Sequence, residues 1–192
     1  RGKKMRYSIY RAFRDSLGEA KSASAIATGG ILAALSVALK FMASIDIGQF
    51  IRIGISDFPA MAASALFGPS LGGLFWAALD IIKYFAAPSG PYFFGFTISA
   101  AISGMIFGLF LYKRPLSIYR VFMATALNKV IVSLIMNTYW LTVLYGSAFF
   151  AILPARILTN AIMLPIDTAL TFALLKLAKR MYALHRLPGR RV

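Results

Sequence analysis

Residues 153–180 read LPARILTNAIMLPIDTALTFALLKLAKR. Most of this stretch is apolar enough to lie in a bilayer, yet it carries Arg156, Asn160 and Asp167. On an α-helix these three fall at i, i+4 and i+11, within about 40° of one another at roughly 100° per residue. They form one polar stripe along an otherwise oily cylinder. Facing lipid would cost such groups several kcal/mol, so the stripe must face protein or a water-filled cavity. The stretch therefore predicts a membrane helix turned toward a polar interior.

Composition extends that reading to the whole chain. Of 192 residues 59% are hydrophobic, and six acids stand against 21 Lys and Arg. That length suits one membrane domain rather than several soluble ones. A soluble nucleic-acid binder also reaches a net charge of +15, but without repeated apolar runs of bilayer length. The absence of cysteine excludes disulfides, thiolate catalysis and Cys-based metal sites. The opening RGKKMRYSIYRAFRDSLGEAKSA does not read as a secretory signal, since its basic part is too long and no small-residue cleavage site closes the apolar segment after it.

Six apolar segments are legible, at 24–43, 58–67, 69–87, 94–112, 119–145 and 148–177. They predict an all-α integral membrane protein of six transmembrane helices. A basic segment (1–23) precedes the membrane domain (24–180), and a basic tail (181–192) ends the chain. The second segment is short against the ~20 residues a spanning helix needs. IGQFIRIGISD before it reads as irregular backbone shielded by protein. Seven Lys and Arg precede the first span, three lie in KRPLSIYR and six occur from Lys176 onward. The positive-inside bias then puts both termini in the cytoplasm. Lys40, Arg52, Lys83, Lys129 and Arg156 are left within the bilayer or toward its outer side.

The fifth span carries a second stripe. Lys129, Ser133, Asn137 and Trp140 recur within about 80° of an α-helical circumference. Lys129 and Asp167 lie at similar depth, roughly 15 Å from the cytoplasmic helix ends. They either pair with each other as a buried structural ion pair or make separate ligand contacts. Asp80 and Lys83, at i and i+3, either neutralise each other or serve a ligand. Two stripes climbing from mid-bilayer outward suggest a pocket that opens outward. The aromatics at the outer ends, among them Phe50, Tyr92, Phe94 and Trp140, read either as an interfacial belt or as stacking faces for a flat ligand. APSGPYFFG reads as a turn or a lid. Small residues at four-residue spacing, Gly30, Ala34 and Ala38 in the first span and Ala100, Gly104 and Gly108 in the fourth, permit close helix approach. Each face either packs internally or receives a partner.

No nucleotide or catalytic motif accompanies this pocket. GPSLGGLF lacks the lysine of a phosphate-binding loop, and neither H-E-x-x-H nor G-x-S-x-G occurs. No inverted repeat of three plus three spans shows. The chain reads as a binder without a motor: not an enzyme, with no cofactor, no metal and no nucleic-acid partner expected.

RIGISDFPAMAASALFGPSLGGLFWAALDIIKYFAAPSGPYFFGFTISAAISG resembles the S components of energy-coupling-factor (ECF) vitamin transporters, specifically the folate family. MNTYWLTVLYG and LPARILTNAIMLPID are similar to that family's last two spans. The likeness runs over 29–177. FGP…GG is shared by S components for other vitamins, whereas PSGPYFFGFT, NTYW and LPARILTN together are more specific to folates. The resemblance implies a six-helix vitamin-binding subunit in the cell membrane. It would work with a transmembrane coupling subunit and two ATPase subunits, and rotate within the bilayer to carry its pocket inward. By the same analogy Gly30, Ala34 and Ala38 form the surface docked on the coupling subunit. Folate chemistry then assigns Tyr92, Phe94 and Trp140 to stacking. It assigns Arg52, Lys83 and Arg156 to the glutamate carboxylates, and Asp80, Asn137 and Asn160 to the pterin edge. The basic head with Arg11, Arg14 and Lys21 has no counterpart in the family and reads as a lipid-headgroup anchor. The rival readings are an S component for another vitamin, such as riboflavin or pantothenate, and a membrane scaffold or enzyme whose stripes are structural.

Overall fold

A computed structural model gives the fold of the chain, and describes residues 9–19, 23–47, 51–54, 56–88, 90–146 and 149–185. Phe50 and Lys21 lie outside these, as does all but 181–185 of the basic tail. In order, the chain forms α1 (Ile9–Glu19), α2 (Ala23–Ala43), β1 (Ser44–Ile47), β2 (Ile51–Gly54), α3 (Phe58–Phe67), α4 (Pro69–Ala86) and α5 (Phe94–Leu111). A continuous rod comes next, made of α6 (Ile118–Asn128), a π-helical segment (Lys129–Met136) and α7 (Asn137–Tyr145); α8 (Phe149–His185) ends the described chain. The six apolar segments of the sequence are thus α2, α3, α4, α5, the α6–α7 rod and α8.

Four of these are long and apolar enough to cross a bilayer by themselves, namely α2, α5, the rod and α8. The multi-pass membrane character of the chain rests on them. At 37 residues α8 reaches about 55 Å, so its end outruns the ~30 Å hydrocarbon core. The ten-residue α3 is different. Nine of its residues are buried, because it packs among α2, α4, α5 and α8 rather than against lipid. The described residues just before it include two short strands, β1 and β2, where the sequence suggested irregular backbone. They run antiparallel and pair Ser44 with Gly54, Ile45 with Ile53, Asp46 with Arg52 and Ile47 with Ile51.

Local chemistry explains the corner between α3 and α4. Gly68 adopts φ 88°, which L side chains rarely accept, and Pro69 opens α4 where its missing N–H is no loss. Gly68 has no side chain with which to cap α4. Ser16 of α1 does it instead: its fully buried Oγ accepts from the Leu71 N–H at 3.0 Å and donates to the Phe67 carbonyl at 2.6 Å. Ser70 Oγ donates to the Phe13 carbonyl, and Lys113 Nζ reaches Asp15 at 3.4 Å. Within the basic head, α1 is therefore clasped onto the end of the bundle where α3, α4 and α5 meet.

The small-residue face of the fourth span is spent internally. A Cβ on Gly108 would lie 2.5 Å from Pro69 Cα, and one on Gly104 would lie 2.7 Å from Trp76 Cδ1. The α4 and α5 backbones thus touch across glycine. Gly30, Ala34 and Ala38 of α2 are all exposed, and a Cβ at Gly30 would meet nothing within 4 Å.

Candidate functional site

A cavity of about 580 Å³ opens between α3, α4, α5, the 87–93 loop, the α6–α7 rod and α8. That is within the range that holds a drug-sized ligand. Part of its wall is rigid and apolar. Trp76 stacks on Phe107 with ring centres 6.0 Å apart and planes 9° off parallel, and its Nε1 donates to the Ala60 carbonyl and Ser64 Oγ.

Around this wall the structure brings together Asp80, Lys83, Tyr92, Asn137, Arg156 and Asn160 of the residues expected from sequence. Two expected residues are placed otherwise. Phe94 is 63% exposed and does not line the cavity; its neighbour Phe93 does, because α5 begins at Phe94 and turns that side chain outward. Trp140 sits behind the wall, with Nε1 donating to Ser99 Oγ at 3.0 Å and its ring 5.6 Å from that of Phe93. The cause is the π-helical segment, whose wider turn shifts the phase of the residues beyond it. Asn137, Leu141 and Tyr145 therefore succeed Ser133 along the cavity, in place of Asn137 and Trp140. The backbone of Arg52 lies on β2, but its side chain is outside the described residues.

The charged groups are largely engaged with one another and with backbone. Asp80 and Lys83 do not neutralise each other. Asp80 Oδ2 accepts from Thr97 Oγ1 at 2.8 Å; Thr97 has then used its one proton, so Tyr92 donates its hydroxyl to Thr97 at 2.9 Å. Lys83, buried, spends its three donors on Asp57 Oδ1 (2.8 Å), the Ser56 carbonyl (3.0 Å) and Ser56 Oγ (3.2 Å). Lys40 donates to the Lys83 and Ala87 carbonyls, a cation at the C-terminal end of α4 where the helix dipole favours it. Lys129 Nζ stands 2.7 Å from Asp167 Oδ2. Buried Arg156 donates through Nη2 to the Ser133 carbonyl at 3.0 Å, and Asn160 Nδ2 donates to the Arg156 carbonyl at 2.8 Å.

Three cavity-lining atoms differ from these. Thr125 Oγ1, Asn128 Oδ1 and Asn137 Oδ1 are buried and have no hydrogen-bond partner among the described residues. Burying acceptors unsatisfied costs about 1–3 kcal/mol each, so their presence together marks a place built for N–H or O–H donors. Asn128 was not legible from sequence, because it lies about 100° off the α-helical stripe through Lys129; Thr125, four residues before Lys129, continues that stripe and was missed because the stripe was not followed back past Lys129. Thr97, Ser56 and Asp57 were missed because each works by holding another side chain.

At the mouth, Gly90, Pro91 and Tyr92 line the opening. Gly90 has φ 121°, and a Cβ there would come 3.1 Å from the Tyr145 hydroxyl. Gly90 thus lies close against Tyr145 at the end of α7.

Known proteins share this sequence and fold. Residues 24–175 match the family described as "ECF transporter, substrate-specific component". The chain is 35% identical to the folate transporter FolT of Clostridium novyi (strain NT) over 136 residues, 71% of this chain and 79% of that protein. It is 34% identical to the FolT of Leuconostoc mesenteroides subsp. mesenteroides over 115 residues, 57% of this chain and 62% of the relative. Among solved structures, one described as FolT bound with folic acid superposes with a TM-score of 0.74 at 30% identity, covering 80% of this chain and 93% of the other. On the family match and the shared architecture, the chain belongs to the substrate-specific components of ECF transporters.

Proposed function

We propose that this chain is the folate-binding subunit of an ECF-type vitamin uptake transporter. It would sit in the cell membrane with both termini in the cytoplasm and be energised by a transmembrane coupling subunit with two ATPase subunits. The observation that carries the ligand assignment is the set of buried acceptors Thr125, Asn128 and Asn137 beside Asp80 and Asn160 in a cavity that also contains Arg156. A pterin presents N–H donors along its edge, which suits the first group. Its glutamate tail carries two carboxylates, which suit a guanidinium. Phe93 and Tyr92 supply ring faces, and Trp140 supports Phe93 from behind. In this reading Lys83 organises Ser56 and Asp57 rather than meeting the ligand, and Lys129 with Asp167 is a structural pair. The FolT relatives, including the one described with folic acid, support the same ligand.

Native mass spectrometry of the purified protein tests the assignment. A retained mass of a folate is expected, and retention of a different vitamin would move the chain to another branch of the family. Arg156→Ala is expected to weaken folate binding by about 1.5–3 kcal/mol, the scale of a hydrogen bond to a charged group. Pteroate, which lacks the glutamate, should lose much less. Calorimetry with both ligands reads the difference, and equal losses would show that Arg156 does not recognise the tail.

A further inference from the structure

The α1 helix lies outside the family match, which begins at residue 24, and the cavity makes no use of it. Its attachment fixes which way it faces. Buried Ala12 and Ser16, with Phe13 and Asp15 partly covered, turn toward the corner between α3 and α4 and the turn after α5. The opposite arc, about 120° wide on an α-helix, presents Tyr10, Arg11, Arg14, Leu17 and Gly18. Tyr10 is 74% exposed and Leu17 61%.

Two cations flanked by an aromatic and an aliphatic side chain on one exposed arc form a surface with two demands. Tyr10 and Leu17 gain by leaving water, while Arg11 and Arg14 call for anions. The level of the helix decides what can meet both. Ser16 caps the first turn of α4 and Asp15 meets Lys113 just past the end of α5, so α1 lies where membrane helices end. A bilayer offers phosphates and the upper acyl chains together at that level. The same end also carries Lys113, Arg114 and Arg120 in the connection to α6.

We propose that α1 is an interfacial helix that binds anionic lipid headgroups. Arg11 and Arg14 pair with headgroup phosphates, and Tyr10 and Leu17 enter the boundary between headgroups and acyl chains. Its clasp on the α3–α4 corner then ties that corner to the lipid surface. This inference needs only the membrane-spanning bundle, and holds or fails separately from the folate assignment.

The absence of cysteine makes a direct test simple. Leu17→Cys gives a single attachment point for an environment-sensitive fluorophore on the full chain, reconstituted into phosphatidylcholine vesicles with or without phosphatidylglycerol. Blue-shifted emission is expected in the anionic vesicles, reversed by high salt. Each basic residue near an anionic surface favours the lipid-bound state roughly fivefold, so Arg11→Gln with Arg14→Gln should shift the balance toward water about 30-fold. Emission independent of headgroup charge, or unchanged by the arginine substitutions, would overturn the proposal. So would a blue shift that depends on protein-to-lipid ratio, which would mean a second copy covers the face. A label that stays water-exposed until the coupling and ATPase subunits are added would overturn it in favour of a protein partner. As a check on folding, near-ultraviolet circular dichroism of the double-arginine variant should match the parent; a loss there moves the test to Arg11→Lys with Arg14→Lys, which should keep the shift in anionic vesicles.

Discussion

Asp167→Leu is expected to lower the stability of the solubilised protein by about 3–5 kcal/mol, the usual consequence of removing one partner from a buried ion pair. The Lys129 ammonium lies 2.7 Å from the Asp167 carboxylate, with the two side chains 15% and 24% exposed. Without Asp167, the Lys129 amine is left inside the bundle with no nearby anion, since the other acids lining the cavity are committed elsewhere: Asp57 to Lys83, and Asp80 to Thr97. Adding Lys129→Met removes the stranded amine, and the double variant should recover most of the loss. Denaturant unfolding in detergent reads both. A single variant as stable as the parent, or a double variant no better than the single, would show that the pair carries no structural weight.

Uptake by the assembled transporter should fall to background when Ala34 and Ala38 are both enlarged to tryptophan. With Gly30 these residues mark a four-residue spacing along α2, and Gly30 itself has open space beside it. Such faces work by letting backbones approach closely, and two indole rings would hold a partner helix several ångströms away. The cavity is lined from other helices apart from Lys40, so the isolated variant should still bind folate. Lost binding or failed folding would mean that the face matters to the chain itself. Full uptake would mean that docking uses another surface. The contrast with the fourth span is physical: Gly104 and Gly108 carry the same small-residue spacing, yet they are consumed where α5 meets α4.

The helices were legible in the sequence because apolar runs of bilayer length have few other uses, and their ends at glycine, proline and polar turns are chemically marked. The polar stripe of α8 was legible for the same reason: a cation and an acid on an oily helix can face only inward. The features that escaped depart from α-helical period or depend on tertiary contact. The π-helical segment contains no residue that announces it, yet it moves Trp140 off the cavity. The two strands are four residues each, too short for alternation to stand out. Lys83 looked available for a ligand because Asp57, its partner, lies 26 residues away in sequence. The capping of α4 by Ser16 joins residues 55 apart, and no local pattern records it.

The central claim is that the cavity between α4, α5, the α6–α7 rod and α8 is a folate site that works without a motor. Titrating the purified chain calorimetrically with folate and with riboflavin, in the absence of ATP and of any partner, tests it most directly. Saturable one-to-one binding of folate and no heat from riboflavin is the predicted result. Riboflavin binding with no folate response would contradict the account and assign the cavity to a different vitamin.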